Sequence, residues 1–342
     1  MIPAPRDVQT IEAVGGGILP FADIAAANEP VLLKGAVRDW PIVALGREGP
    51  RAAIAYLAGF DAGLPVVVYS GPPEIGGRFF YDDRMGMNFT ARKGGLTEVL
   101  ARISAHLGDP AAPALYVGST DLDTFLPGFR AANDLPLGPP VTTHQDVLAS
   151  IWIGNRTTAA THYDMSNNIA CCLVGHRRFT LFPPDQIANL YPGPLEPTPG
   201  GQVVSMVDPR APDLERYPRF REAAAYARVA EMEPGDVLLY PALWWHNVEA
   251  LDAFNVMVNY WWNAVASHAD TPMTTLLHAM LSLRDRPLAE KQAWRAVFDH
   301  YVFGDADVPR AHLPEAAQGL LGPLGPLDAR RLRAMLLQKM NR

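Results

Sequence analysis

Cysteine is nearly absent from this chain. Its two cysteines, Cys171 and Cys172, are adjacent inside an apolar run. They cannot bridge each other in ordinary disulfide geometry and have no third partner. A disulfide-stapled secreted fold is therefore excluded, and a reducing cytoplasm is the expected compartment. Long apolar runs are missing too: no stretch approaches the ~18 uninterrupted apolar residues of a spanning helix. Met1 to Gly17 lacks the basic start, apolar core and small-residue cleavage site of a leader. Neither export nor membrane insertion is expected. Excess positive charge is also lacking, with 29 Lys plus Arg against 36 Asp plus Glu and a formal net charge of −7. Phosphate backbones therefore have no electrostatic claim on the chain, and nucleic acid is not an expected partner.

What the chain does have is punctuation. It carries 32 Pro and 28 Gly over 342 residues, with 49% hydrophobic and 19% charged content. Turn residues break many short apolar runs, the pattern of a β-rich fold, and the hydrophobic content is enough for a substantial core. The pattern predicts strands at Pro30 to Lys34, Leu64 to Ser70, Arg78 to Asp82, Ala114 to Gly118, Ala149 to Gly154, Asn168 to Val174 and Arg177 to Phe182. A later group is predicted at Arg228 to Met232, Asp236 to Tyr240, Trp245 to Ala250 and Asn255 to Trp262, rich in β-branched and aromatic residues. Strands this short and this frequent favour a closed or double-sheet architecture.

Helical periodicity is rarer. Leu96, Val99, Leu100, Ile103 and Leu107 mark one buried face of a helix expected to pack outside the sheets. Beyond about Ala269, Met273 to Leu283, Leu288 to Phe298 and Leu327 to Met340 all read as helices. The expected division is therefore 1–268 for the β domain and 269–342 for a helical tail. The tail's apolar positions suit either its own barrel or a second copy of the chain, and periodicity does not separate the two. A homodimer is the expectation adopted.

Chemistry concentrates in Thr161-His162-Tyr163-Asp164, followed at a distance by Pro234-Gly235-Asp236 and Trp244-Trp245-His246. On an extended strand residues i and i+2 share a side, so His162 and Asp164 can face one interior while Tyr163 faces away. A third ligand must come from another strand, and the Pro-Gly-Asp turn and apolar run before it deliver His246. Two imidazoles and a carboxylate on one face of an octahedral ion leave three positions open, as non-haem Fe(II) requires to bind a cosubstrate and O₂ together. About one His-x-Asp triplet is expected by chance in such a chain. His144-Gln145-Asp146 is a competitor, but it follows Gly138-Pro139-Pro140 and reads as a loop. His176, His268, His278, His300 and His312 are read as surface or core histidines rather than ligands. Trp244, Trp245, Trp261 and Trp262 are expected to divide between core and pocket wall.

At this point the chain resembles a known family. His162-Tyr163-Asp164, GHRRFTLFPPDQ (175–186), Leu190-Tyr191-Pro192, residues 233–246 and Val258-Asn259-Tyr260-Trp261 are similar to the JmjC/cupin-like 2-oxoglutarate oxygenases. The similarity is greatest to the asparaginyl-hydroxylase branch that acts on hypoxia-inducible factor. PVLLKGAVRDWP (30–41) and RFFYDDRMGMNF (78–89) resemble the amino-terminal parts of its bacterial cupin-like members, so the likeness covers most of 20–265.

The resemblance implies a mainly β, double-stranded β-helix (jelly-roll, cupin/JmjC) core with flanking helices and a helical tail. It implies Fe(II) held by His162, Asp164 and His246, with 2-oxoglutarate and O₂ consumed to hydroxylate a C–H bond. The first-choice substrate is a protein side chain, with a small molecule or a non-catalytic metal- or ligand-binding module as alternatives. Arg177, Tyr116, Asn168 and Asn259 are implied as cosubstrate residues. Two positions depart from the family: Arg177 stands where lysine is usual, and Ala159 where a threonine supplies a hydrogen bond. A guanidinium can still grip a carboxylate bidentately. Residues 191–203, rich in Pro and Gly, are expected to form a loop at the cavity mouth that helps choose the substrate.

Overall fold

The computed structural model of the protein describes residues 4–12, 26–138, 141 and 146–341. The chain divides into two compact units, Met1–Ala264 and Val265–Arg342. Strands of the first unit are β1 (Arg6–Asp7), β2 (Gln9–Glu12), β3 (Val31–Lys34), β4 (Val66–Gly71), β5 (Arg78–Phe79), β6 (Thr90–Gly94), β7 (Ala114–Asp121) and β8 (Leu148–Gly154). They continue with β9 (Thr158–Tyr163), β10 (Asn167–Val174), β11 (Arg177–Phe182), β12 (Arg228–Met232), β13 (Val237–Tyr240), β14 (Trp245–Ala250) and β15 (Asn255–Trp262). Its helices are α1 (Pro41–Glu48), α2 (Pro50–Ala58), α3 (Leu96–Ala105), α4 (Leu122–Phe125) and α5 (Phe220–Ala225).

These strands form two sheets, β1-β12-β11-β14-β9-β5 and β2-β3-β13-β10-β15-β8-β7-β4-β6. From β8 to β15 the chain changes sheet at every step except β11 to β12, which pair as antiparallel neighbours. That winding is the double-stranded β-helix. β10 shows why the sequence supports it. All but its first residue are buried, because one face lines the barrel and the other meets a helical layer. Ala170 and Cys172 join Phe179, Leu181, Val248 and Met257 inside the barrel. Ile169, Cys171 and Leu173 join Ile42, Leu57, Leu96, Val99, Leu100 and Ile103 outside it. The adjacent cysteines therefore point to opposite faces, as the pleat demands.

The α3 face read from periodicity packs outside the sheets as expected. Helices α1 and α2 were not anticipated; both begin with proline at the first helical positions, where its missing N–H costs nothing and its fixed φ helps. The strand expected at Arg78 to Asp82 ends at Phe79. Asp82 turns the chain instead, accepting N–H bonds from Arg84 and Gly86.

The second unit holds α6 (Pro272–Leu283), α7 (Leu288–Phe298) and α8 (Pro326–Met340). Pro309 and Ala329 are its buried apolar side chains among the described residues, while large apolar side chains lie exposed on all three helices.

Candidate metal centre and its cavity

His162 lies on β9 and His246 on β14, directly opposite each other in the antiparallel register. Their ring centroids are 4.3 Å apart. The register shifts between the His246 and Val248 pairs, so β9 bulges beside the site, a common way to re-aim a side chain. On the other side of β9, Val204 bridges to His162. Asp164 follows β9, with its carboxylate 3.7 Å from His246 Nε2. One ligand atom from each of the three residues lies within 4.8 Å of the others.

The hydrogen bonding of each imidazole shows what it is free to do. His162 Nδ1 lies 2.8 Å from the Ala160 carbonyl and His246 Nδ1 lies 2.9 Å from that of Trp244. A carbonyl only accepts, so each Nδ1 carries the proton and each Nε2 keeps its lone pair, the tautomer a metal ligand needs. Burial, and then the neighbouring His162, push the His246 imidazole down to about 4, which keeps it neutral near pH 7. The donor set fits a divalent cation: two neutral imidazole nitrogens and one carboxylate oxygen.

Asp164 is held in turn. Asn168 Nδ2 donates to Asp164 Oδ2 at 3.1 Å, and Asn168 Oδ1 accepts from Asn259 Nδ2 at 3.0 Å. Asn259 Oδ1 accepts from the Trp152 indole at 2.5 Å. A single direction of donation thus runs from Trp152 through both amides to the carboxylate.

The triad opens on a cavity of ≈ 350 Å³. Its wall is dominated by aromatic rings, among them Tyr69, Phe79, Tyr116, Trp152, Phe179, Tyr240 and Trp261. Pro199, Gly200, Gln202 and Val204 also line it, so the Pro/Gly-rich segment reaches the cavity as expected. Burial pushes the Tyr116 and Tyr240 phenols up, so both are donors at any physiological pH.

The sequence-derived candidates divide into wall and backing. Tyr116, Asn259 and the triad are wall residues; Asn168 and Arg177 are not. Alternation sends the two arginines of the basic pair to opposite sides, and burial shows which points inward. Arg177 is 2% exposed, whereas Arg178 is exposed and paired with Glu231 at 2.6 Å. Arg177 shares the inward side of β11 with the wall residue Phe179, two positions on. Its Nε has no hydrogen-bond partner, no carboxylate is paired with it among the described residues, and burial pushes its pKa down. The turn before it depends on Gly175, at φ +74°, where a Cβ would meet Asn255 Oδ1 at 2.3 Å and the Phe254 carbonyl at 2.7 Å.

The competitor His144 lies outside the described residues. A third triplet, His268-Ala269-Asp270, falls in the helical unit, where His268 Nε2 faces the Leu324 carbonyl at 2.7 Å. The four tryptophans divide as expected between wall (Trp261) and core (Trp244, Trp245, Trp262). Sequence reading missed Trp152 and Tyr240. Trp152 sits between Ile151 and Ile153, which face the opposite side, and that alternation was the available signal.

A model of the cupin-like domain family matches residues 19–268. Human HSPB1-associated protein 1 is 32% identical over 151 residues, 43% of this chain and 30% of that protein. The zebrafish (Danio rerio) tRNA wybutosine-synthesizing protein 5 is 37% identical over 109 residues, 32% of this chain and 30% of that protein. Lysine-specific demethylase JMJ31 of Arabidopsis thaliana is 29% identical over 116 residues, 34% of this chain and 21% of that protein. These matches therefore span under a third of each relative's length. Among solved structures, the Escherichia coli ribosomal oxygenase YcfD aligns over 95% of this chain and 68% of that chain, at 15% identity and a TM-score of 0.43.

Proposed function

Because the chain belongs to the cupin-like domain family, we propose that it is a JmjC-type, Fe(II)- and 2-oxoglutarate-dependent oxygenase that hydroxylates a C–H bond. The observation that carries this reading is the triangle of His162, Asp164 and His246, with both histidines committed through Nδ1 and free at Nε2. When bound, iron and 2-oxoglutarate would supply the oxidising power, O₂ and the oxo acid being consumed and succinate and CO₂ released as C–H becomes C–OH.

The chain's own residues supply the setting. His162, Asp164 and His246 hold the metal, and Asn168 fixes the carboxylate that ligates it. The aromatic wall excludes water. Arg177, a buried cation without a counter-charge, is costly to maintain. Its field favours an anion beside it, which supports the distal carboxylate of 2-oxoglutarate as its partner, with Tyr116 as the wall-side donor. The lip formed by Pro199, Gly200 and Gln202 selects the substrate, a protein side chain in the first instance.

The test is anaerobic titration of the apo-protein with Fe(II) and 2-oxoglutarate, following the weak visible charge-transfer band of the chelate. A band that vanishes in His162→Ala and Asp164→Ala and weakens in Arg177→Met is the expected result. A metal-loaded protein that gives no band would favour a second reading, a cupin that binds a ligand without turnover. Ala159, a wall residue with no hydroxyl to offer a cosubstrate, is the observation on that side. If the band is present, products are sought as a +16 Da shift in proteome extracts against a metabolite pool, which separates a protein from a small-molecule substrate. Replacing 192–202 by a short linker is expected to alter substrate choice.

A further inference from the structure

We infer that Tyr240 is a second hydroxyl donor to the cosubstrate, acting beside the metal-facing end of the oxo acid; this rests on the oxygenase reading above. Tyr240 ends β13, opposite Asn168 in the register with β10, which brings its side chain into the barrel at the level of the triad. Its ring lies 4.8 Å from that of His246 and 5.9 Å from that of Phe179. It is a wall residue.

Packing alone does not account for the hydroxyl. The ring contacts with His246 and Phe179 would be met by phenylalanine, yet the side chain carries an oxygen that makes no hydrogen bond to any described residue. The ring is buried to 5% exposure while its oxygen opens onto the cavity without a protein partner, so the partner it offers itself to is whatever fills the cavity. A phenol O–H donates, so what it takes there is an acceptor.

The position of Arg177 sharpens the case. Its guanidinium is not among the wall residues, so the wall itself presents hydroxyl donors to an anion. The Tyr240 ring packs on the imidazole of the metal-ligand candidate His246 at 4.8 Å, whereas the Tyr116 ring packs on Phe79 and Trp152, each at 5.8 Å. The two phenols therefore address different parts of one elongated ligand: Tyr116 the distal carboxylate, Tyr240 the oxygens of the 2-oxo acid end.

The experiment is anaerobic titration of Mn(II)-loaded wild type and Tyr240→Phe with 2-oxoglutarate, read by calorimetry and by the ligand-induced rise in Tm. The expected result is about tenfold weaker oxo-acid binding in Tyr240→Phe, the usual effect of losing one hydrogen bond to a charged acceptor. Mn(II) affinity and the Tm without oxo acid should stay at wild-type values, showing that ring and fold are intact. Equal oxo-acid affinity in the two proteins would overturn the donor role while leaving the oxygenase reading standing. A loss of Mn(II) affinity or of Tm matching the loss of oxo-acid binding would also overturn it, by showing a packing role. Failure of the wild type to bind 2-oxoglutarate would instead sink the oxygenase reading, and this inference with it.

Discussion

Asn168 donates its side-chain N–H to the Asp164 carboxylate at 3.1 Å, and the same amide is fixed from behind by Asn259. Asn168 is therefore a positioning residue for a metal ligand. Loss of such a partner costs about 10–100-fold in metal affinity. Asn168→Ala is expected to weaken divalent-metal binding by about that factor, measured by competition with a chromophoric chelator, and unchanged affinity would remove Asn168 from the site.

If the triad holds a metal in the folded state only, chelation must destabilise the protein. A ligand present at a hundred times its Kd contributes about 2.7 kcal/mol. Adding EDTA to metal-loaded wild type should lower Tm, and His162→Ala should show no such response in a thermal scan.

Gly175 is the glycine on which the inward aim of Arg177 depends. Any side chain there meets both left-handed backbone strain and the Asn255 carboxamide. Gly175→Ala should destabilise the fold by about 1–3 kcal/mol in urea denaturation. A wild-type midpoint would mean that the turn relaxes freely.

The Pro234-Gly235-Asp236 turn is tied to β3 by a buried carboxylate. Asp236 accepts from Lys34 Nζ at 2.5 Å, the Gly35 N–H at 2.8 Å and the Glu233 N–H at 2.8 Å. Asp236→Ala should cost about 3 kcal/mol by orphaning these donors. Burial pushes the Lys34 ammonium down, but its hydrogen bond to and attraction by Asp236 overcome this and raise it. The stability this pair adds is thus complete below the unfolded lysine pKa of about 10.4 and fades as pH rises through the higher folded value. The stability difference between wild type and Asp236→Ala, followed from pH 8 to 12, should narrow at the alkaline end by the Lys34 share, leaving the part due to the Gly35 and Glu233 N–H bonds.

The helical unit exposes Leu281 at 81% and Phe303 at 75%. We propose that a second copy of the chain covers this apolar surface. Light scattering should give about twice 37.3 kDa, falling to the monomer mass in Leu281→Glu/Leu337→Glu. A monomeric wild type would end this proposal.

The sequence by itself determined most of the strands from β3 onward and the grouping of His162 with Asp164. Both follow from the period-two geometry of an extended chain, which is local. It also carried His246, because the turn and apolar run before it define a strand that must return to the same interior. Helices α1 and α2 were hidden, since proline reads as a breaker until it is seen at the first helical position.

Only the tertiary structure gave the His162-x-Asp164 pair its third ligand, because that depends on β9 and β14 lying side by side with His162 opposite His246. It alone committed Asn168 to Asp164, and brought Trp152 and Tyr240 to the wall through pairings between distant strands. Alternation says that Arg177 and Arg178 point to opposite sides, but not which side is inside. The sheet-to-sheet winding settles that, because the buried face is defined by what packs against it.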